Sequence, residues 1–382
     1  MLIDKSQSAA YVKLDAVDTP KGVLWVWHCP QPDNPAWDAF VNSTSYGHFY
    51  QTSMWGQVKV LDGWKPFITL ITQNDRLIGG FQMLWCSKSY LGKIGIVLKG
   101  PVVESDDPII MAFVINTLKK TAKQNNIRAL IIQPPNKQQG MADILKKNGF
   151  SDNHVDFEIR NNTVTIDLHG SEEEIFKRIK RQKRQNINVA IKSGVVIREG
   201  NKNDLRKFFS FMCETCKRQQ VSPSPAHEKF LLKMWDLFSP ADHIKLFMAQ
   251  YEGVDISGLI VLPFSDIVYM WKFGWSGNYG HCRPNEMLYW EIFKWARNHG
   301  YRYADIDAIS SVLADTSFQG RTPSKDSLKT YSRFKNEFGG EIISLSHGLV
   351  YIPNPIIRWG YNLLMPYINS IPSLKRKIIM QE

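Results

Sequence analysis

His243–Pro263 reads HIKLFMAQYEGVDISGLIVLP, and its apolar, β-branched runs predict strand, turn, strand. Pro66–Cys86, PFITLITQNDRLIGGFQMLWC, has the same form, with a turn expected at Asn74-Asp75. Ile78-Gly79-Gly80 matches Ile256-Ser257-Gly258. The elements after each strand pair also match. After the first come a strand (Lys93–Pro101), a helix (Ile109–Asn125), a strand (Arg128–Pro135) and a short helix ending at Gly149. After the second come a strand (Ile267–Ser276) and a helix (Asn285–His299) with Leu288, Ile292 and Trp295 on one face, closed by Gly300. A strand (Tyr301–Ala308) and a helix running into Gly339-Gly340 complete it. Lys147-Asn148-Gly149-Phe150 roughly matches Glu337-Phe338-Gly339-Gly340. Two copies in one order indicate duplication. The expectation is two similar α/β (α+β) domains, 1–160 and 161–346, bridged by Asn161–Gly200, with a tail from 347 to 382.

The 382 residues suffice for two domains of ordinary size, and 43% hydrophobic residues supply their cores. Lys and Arg outnumber Asp and Glu by 47 to 36, a net charge of +11 that favours an acidic partner: nucleic acid, an anionic membrane or a phosphorylated substrate. Five scattered cysteines fit a reducing cytosol. Cys213 and Cys216 form a lone CxxC with no second pair at zinc spacing, so no metal is expected. No run reaches the ~20 apolar residues of a bilayer span, and the first fifteen residues carry no apolar signal segment. A cytoplasmic protein, soluble or peripheral, is the expectation.

Ser171–Gly194, SEEEIFKRIKRQKRQNINVAIKSG, predicts one helix, opened by a capping box at Ser171 and Glu174 and stopped at Gly194. On it Lys177, Arg181, Arg184 and Asn188 would share a face, with Lys180 beside them. Such a face is either solvated or holds an anion. The loop Ile309–Ser327 is either a connector or a lid. In the tail, four prolines (Pro353, Pro355, Pro366, Pro372) argue against a long helix. Trp359, Tyr361 and Leu363–Met365, followed by Lys375-Arg376-Lys377, suit either an interfacial segment on anionic lipid or packing on the second domain.

Five blocks, in order, are FYQTSMWGQVK (Phe49–Lys59), Thr163–Ile197 around the basic stretch, CETCKRQQ (Cys213–Gln220), Arg283–Asp307, and YSRFKNEFGGE from Tyr331. Together they resemble the Fem-type (FemABX) peptidoglycan aminoacyltransferases. That resemblance implies two tandem acetyltransferase-like (GNAT) domains. It implies transfer of an amino acid from aminoacyl-tRNA to the amine of a lipid- or nucleotide-linked peptidoglycan precursor, with no cofactor. It assigns Lys59 to the precursor's diphosphate, Lys335 to a phosphate region and Arg218 to the E-T-x-x-R block, with Trp55 and Asn285 beside the substrate. The basic stretch, with Lys177, Lys180, Arg181 and Arg184, becomes the expected tRNA-contacting surface. The coiled-coil arm of some members is missing, since Asn203–Pro240 offers only ordinary helices.

Attack of an amine on an ester needs a neutral amine, close positioning and a stabilised oxyanion. Asp305 and Asp307, two apart on a strand, point to one face. Their proximity is expected to raise one pKa toward neutrality, as a general base requires. Asp307 is the preferred candidate and Asp305 the second, and at least one of the two is expected to cap or orient the next loop instead. Tyr269 and Tyr289 either relay protons or pack. Arg218 either binds phosphate or pairs with Glu214. Neither repeat shows the glycine-rich pyrophosphate turn of acetyl-CoA users. The alternatives are an N-acyltransferase using acyl-CoA or acyl carrier protein on an amino-sugar precursor, and a non-catalytic RNA- or membrane-binding protein.

Overall fold

The computed structural model describes residues 11–88, 92–136, 138, 140–155, 159–321 and 331–370. It divides into two compact units: residues up to Ile159 together with those from Ser346 onward, and Arg160–Leu345. The first contains β1 (Val12–Thr19), β2 (Gly22–Cys29), α1 (Pro35–Ser43), α2 (Ser53–Lys59), β3 (Lys65–Gln73), β4 (Arg76–Lys88), β5 (Gly92–Leu98), β6 (Val102–Val103), α3 (Pro108–Gln124), β7 (Ile127–Gln133), α4 (Met141–Lys147) and β8 (Ser151–Asp152). The second contains β9 (Asn162–Asp167), α5 (Glu172–Arg178), α6 (Arg181–Ser193), β10 (Val196–Glu199), α7 (Leu205–Gln219), α8 (Glu228–Phe238), β11 (Lys245–Tyr251), β12 (Val254–Phe264), β13 (Ile267–Trp275), α9 (Pro284–Asn298), β14 (Tyr303–Ala308), α10 (Ser311–Phe318), α11 (Tyr331–Asn336) and β15 (Glu341–Ser344). The chain then returns to the first unit with β16 (Leu349–Tyr351) and α12 (Pro355–Ser370).

Each unit carries the expected hairpin. Asn74 and Asp75 take φ of 51° and 61°, and Glu252 and Gly253 take 50° and 77°. Positive φ at both central residues matches the right-handed twist of the flanking strands. The matched glycines have one physical cause. A Cβ on Gly80 would lie 3.1 Å from the Trp37 ring of α1, and one on Gly258 would lie 3.1 Å from the Phe208 ring of α7. In both units a helix ahead of the hairpin presses an aromatic ring onto that strand.

In the second unit the sheet runs β10-β11-β12-β13-β14-β9-β15. Alternation on β11 sends Phe247 and Ala249 to the core shared with α9, while the Gly258 site packs Met248 beneath α7. Among its described strands only β13 and β14 run parallel, and they pair at three positions, ending at Tyr269 opposite Asp305. Beyond that point the two strands part. In the first unit the corresponding parallel pair, β5 and β7, stays paired from Lys93 to Leu98, with one register shift after Lys93.

The basic stretch is not one helix. The Ser171 capping box forms, but Ile179 (φ −66°, ψ 136°) and Lys180 (φ −58°, ψ 144°) are extended, so α5 and α6 are separate. Lys177 and Arg181 therefore do not share a helical face. Tertiary contacts impose the break. Ile179 is 1% exposed in the core, and the Lys180 N–H donates to the Glu337 carbonyl at 3.0 Å. A Cβ on Gly339 would meet the Arg178 carbonyl oxygen at 2.1 Å, so the glycine permits this close approach. After the break Lys183 turns inward, and its ammonium meets Glu286 at 3.0 Å and Glu337 at 3.9 Å.

The tail also departs from expectation. It belongs to the first unit, where β16 pairs with β7 and β8. Its prolines allow a helix of 16 residues. Pro355 opens α12, where its missing N–H would have no partner, and Pro366 removes a single internal donor. Of the loop Ile309–Ser327, residues 311–318 form α10, with Leu313 and Ala314 fully buried; residues 322–330 lie outside the described residues. Helices α7 and α8, of 15 and 11 residues, form no long arm.

Removing one partner of a buried ion pair leaves an uncompensated charge. Lys183→Met is therefore expected to lower unfolding free energy by about 3–5 kcal/mol, read from urea midpoints, with Lys183→Met/Glu286→Leu recovering most of it.

Candidate active site

The parting of β13 from β14 exposes the end of β14 on that side. There the β14–β9 register slips between Asp305 and Ala308, and Asp307 adopts φ of 64°. Asp305 is committed to this geometry: its Oδ1 accepts the Asp307 backbone N–H at 2.8 Å and the Thr163 hydroxyl. Asp305 thus orients the strand end, and the half-buried Asp307 carboxylate is the one presented.

Two cations face Asp307. Lys335 Nζ, on α11, lies 3.8 Å from Oδ2 and donates to the Ala308 carbonyl at 3.1 Å. Arg160 Nε lies 4.0 Å from Oδ1. Burial alone would raise the Asp307 pKa, but the charges of Lys335 and Arg160 overcome it and hold the carboxyl below its ordinary value. The expected rise toward neutrality does not occur, because Asp305 is spent on hydrogen bonds and the nearest charges are positive. Burial lowers the Lys335 pKa, against the opposing pull of Asp307 and Asp305. Tyr289 is packed, stacked on Phe338 at 5.0 Å and edge-on to Phe334 at 5.2 Å, and burial raises its hydroxyl pKa. Tyr269 stands on β13 opposite Asp305.

The structure therefore brings Asp305, Asp307, Tyr269 and Lys335 to one strand end. Arg218 is elsewhere on the unit, at the end of α7. Its guanidinium donates to the Trp275 carbonyl at 2.5 Å and the Thr215 hydroxyl at 3.2 Å, and lies 4.9 Å from the Trp275 ring centroid. Asn285, in the first turn of α9, has a buried side-chain oxygen that accepts no hydrogen bond among the described residues. Lys180 and Arg181 are exposed at the start of α6, Lys177 is exposed near the end of α5, and Arg184 is half-buried. Lys59 and Trp55 belong to the first unit. Lys59 is 5% exposed and pairs with Asp62 at 2.8 Å, and Trp55 is buried against Phe49 and Tyr50.

Sequence reasoning missed Arg160, which precedes β9 and carries no motif. It also missed Gln51, whose buried amide donates to the Leu98 carbonyl and accepts from the Gln82 N–H, tying β5 to β4. Its place directly after the Phe49-Tyr50 pair was its only signal. Among the described residues no cluster of His, Cys, Asp or Glu could hold a metal. No described helix is long and apolar enough to cross a membrane.

Twin units with this strand order define a tandem GNAT-fold acyltransferase. The FemAB family model matches residues 33–157, and an acetyltransferase (GNAT) domain model matches 176–308. The first unit is thus similar to the FemAB family and the second to the GNAT domain. It is 21% identical over 339 residues to a lipid II:glycine glycyltransferase of Staphylococcus epidermidis, covering 70% of this chain and 81% of that one. The enzyme of the same name from Staphylococcus haemolyticus is 25% identical over 198 residues, 48% of this chain and 46% of that one. Among solved structures, FemX superposes with a TM-score of 0.74 at 18% identity, over 86% of this chain and 97% of that one. L-PGS from Bacillus licheniformis gives 0.53 at 13%, over 88% and 97%.

The depressed Asp307 pKa carries a signed consequence. As pH falls below about 3.9, the unfolded chain protonates this group first, while the folded state keeps it ionised. Stability from Asp307 is thus present above that pH and is lost as pH falls toward the folded pKa. Urea midpoints of Asp307→Asn across the acid range should show a shallower decline than those of the parent; an unchanged decline would contradict the pairing.

Proposed function

We propose that this acyltransferase moves an aminoacyl group from aminoacyl-tRNA to the amine of a peptidoglycan precursor, building an interpeptide bridge. The observation that carries this proposal is the Asp307–Lys335–Arg160 constellation where β13 and β14 part. The relatives' printed names, which pair lipid II with glycine, agree with it.

The chemistry follows from the charges. The amine nitrogen attacks the ester carbonyl carbon, a C–N bond forms, and the bond from that carbon to the ribose oxygen breaks. The proton lost by nitrogen ends on the departing ribose oxygen. A carboxyl held below its ordinary pKa is a poor base for an amine of pKa about 10.4. Asp307 therefore orients the incoming amine, and the Lys335 ammonium faces the oxyanion as it develops.

The helix starts disfavour coenzyme A as donor. A pyrophosphate is best held at a helix N-terminus whose amides are free. Asp107 caps α3, accepting the Ile109 N–H at 2.9 Å, and α9 begins with a proline, Pro284, which removes one amide from its first turn. A tRNA ester needs neither helix start, and the exposed Lys177, Lys180 and Arg181, with Arg184, offer phosphate contacts. By the same resemblance, Lys59 and Trp55 of the first unit and Arg218 and Asn285 of the second are candidate substrate contacts, each within its own unit.

The test supplies purified protein with charged tRNAs, acyl-CoA or acyl carrier protein, and lipid- or nucleotide-linked acceptors, reading amide product by mass spectrometry. Transfer from charged tRNA is expected. Transfer from acyl-CoA alone would reject the donor, and no transfer from any donor would favour a non-catalytic protein. With folding preserved, Lys335→Ala should lower kcat by about 100- to 1,000-fold. Asp307→Asn should lower it by about 10- to 100-fold.

A further inference from the structure

Helix α12 is amphipathic in the wrong sense for a helix packed on its own protein. At 100° per residue, Ile356, Ile357, Trp359, Gly360, Leu363, Leu364 and Tyr367 fall within an arc of about 160°. The six large side chains on that arc are exposed, Ile356 at 77%, Trp359 at 69% and Tyr367 at 66%. The opposite side is the one that docks. The Tyr361 hydroxyl accepts the His154 N–H at 2.9 Å and donates to Asn153 at 3.2 Å, and Met365 is buried. The helix is thus anchored to the first unit with its apolar side presented outward.

We propose that this face of α12 lies on an anionic phospholipid bilayer. Three features select a lipid surface over a protein. From Ile356 to Tyr367 the arc contains no charged or hydrogen-bonding side chain other than the amphipathic tips of Trp359 and Tyr367, whereas protein interfaces carry a polar rim. Trp and Tyr are the residues that favour the boundary between headgroups and acyl chains. Charge is complementary as well: residues 355–370 include no Asp or Glu, Lys375, Arg376 and Lys377 follow in the sequence, and the whole chain is at +11. A bilayer also fits the length: α12 is 16 residues, too short to span and long enough to lie flat. This assignment does not rest on the transfer reaction. A nucleotide-linked acceptor could be modified with no bilayer present, so either proposal can fail alone.

The full chain is mixed with vesicles of phosphatidylglycerol and phosphatidylcholine in equal parts, and with vesicles of phosphatidylcholine alone, and bound protein is read by sedimentation. Binding to the anionic vesicles is expected, falling at least about tenfold in Ile356→Asp/Leu363→Asp and on raising salt. Lys375→Gln/Arg376→Gln/Lys377→Gln should weaken the anionic binding without altering the thermal melt. Because the two apolar positions are exposed, their substitution should also leave the melt unchanged. Failure of the parent to bind, or equal binding by the aspartate variant, would overturn the proposal. So would a concentration-dependent dimer in analytical ultracentrifugation, abolished by the aspartate variant, in a protein that ignores vesicles.

Discussion

The second unit turns on one buried ion pair. Lys183 and Glu286 are 5% and 7% exposed, and neither charge is tolerable there without the other. Asn186 donates a second hydrogen bond to Glu286 at 2.9 Å, and Lys183 lies 3.6 Å from the Phe334 ring centroid as well as near Glu337. One ammonium therefore fixes α6 to α9 and to the end of α11. Two of those helices carry the residues around Asp307: Tyr289 stands on α9 and Lys335 on α11. The interruption between α5 and α6 is what allows Lys183 to point inward.

Duplication did not leave equivalent halves. Both units place helices, hairpin, strand, helix and parallel strand in one order, and both seat an aromatic ring on the matched glycine. Among the described residues, only the second unit lets its parallel strands separate, and at that strand end the Asp307 carboxylate stands between two cations. Asp107 caps α3 and pairs with Lys21 at 2.7 Å, whereas α9 starts from Arg283 and its Glu286 is bound to Lys183.

Much of this was legible in the chain. Period-two runs around Asn74-Asp75 and in His243–Pro263 gave the hairpins, because turn chemistry and strand alternation are local. The capping box at Ser171 and the stop at Gly194 were local too, and both formed. The break at Ile179-Lys180 was not visible, because a carbonyl 157 positions away in the chain, that of Glu337, imposes it. Asp305 and Asp307 were correctly placed on one strand, but the Asp307 pKa depended on Lys335 and on Arg160, the latter far from it in sequence. The tail misled for a different reason: Pro355 falls in the first turn, where proline is tolerated, and Pro366 costs α12 only one internal donor.

Strand β16 occupies the interior of the first sheet, hydrogen-bonded to β7 on one side and β8 on the other. Residues 349–351 are translated after the entire second unit. A nascent chain can therefore close the later unit, which is continuous in sequence, while the earlier one still waits for a missing strand. On the ribosome the usual N-to-C order of maturation is reversed, and a polypeptide stalled before residue 349 would expose an open β7 edge to its neighbours.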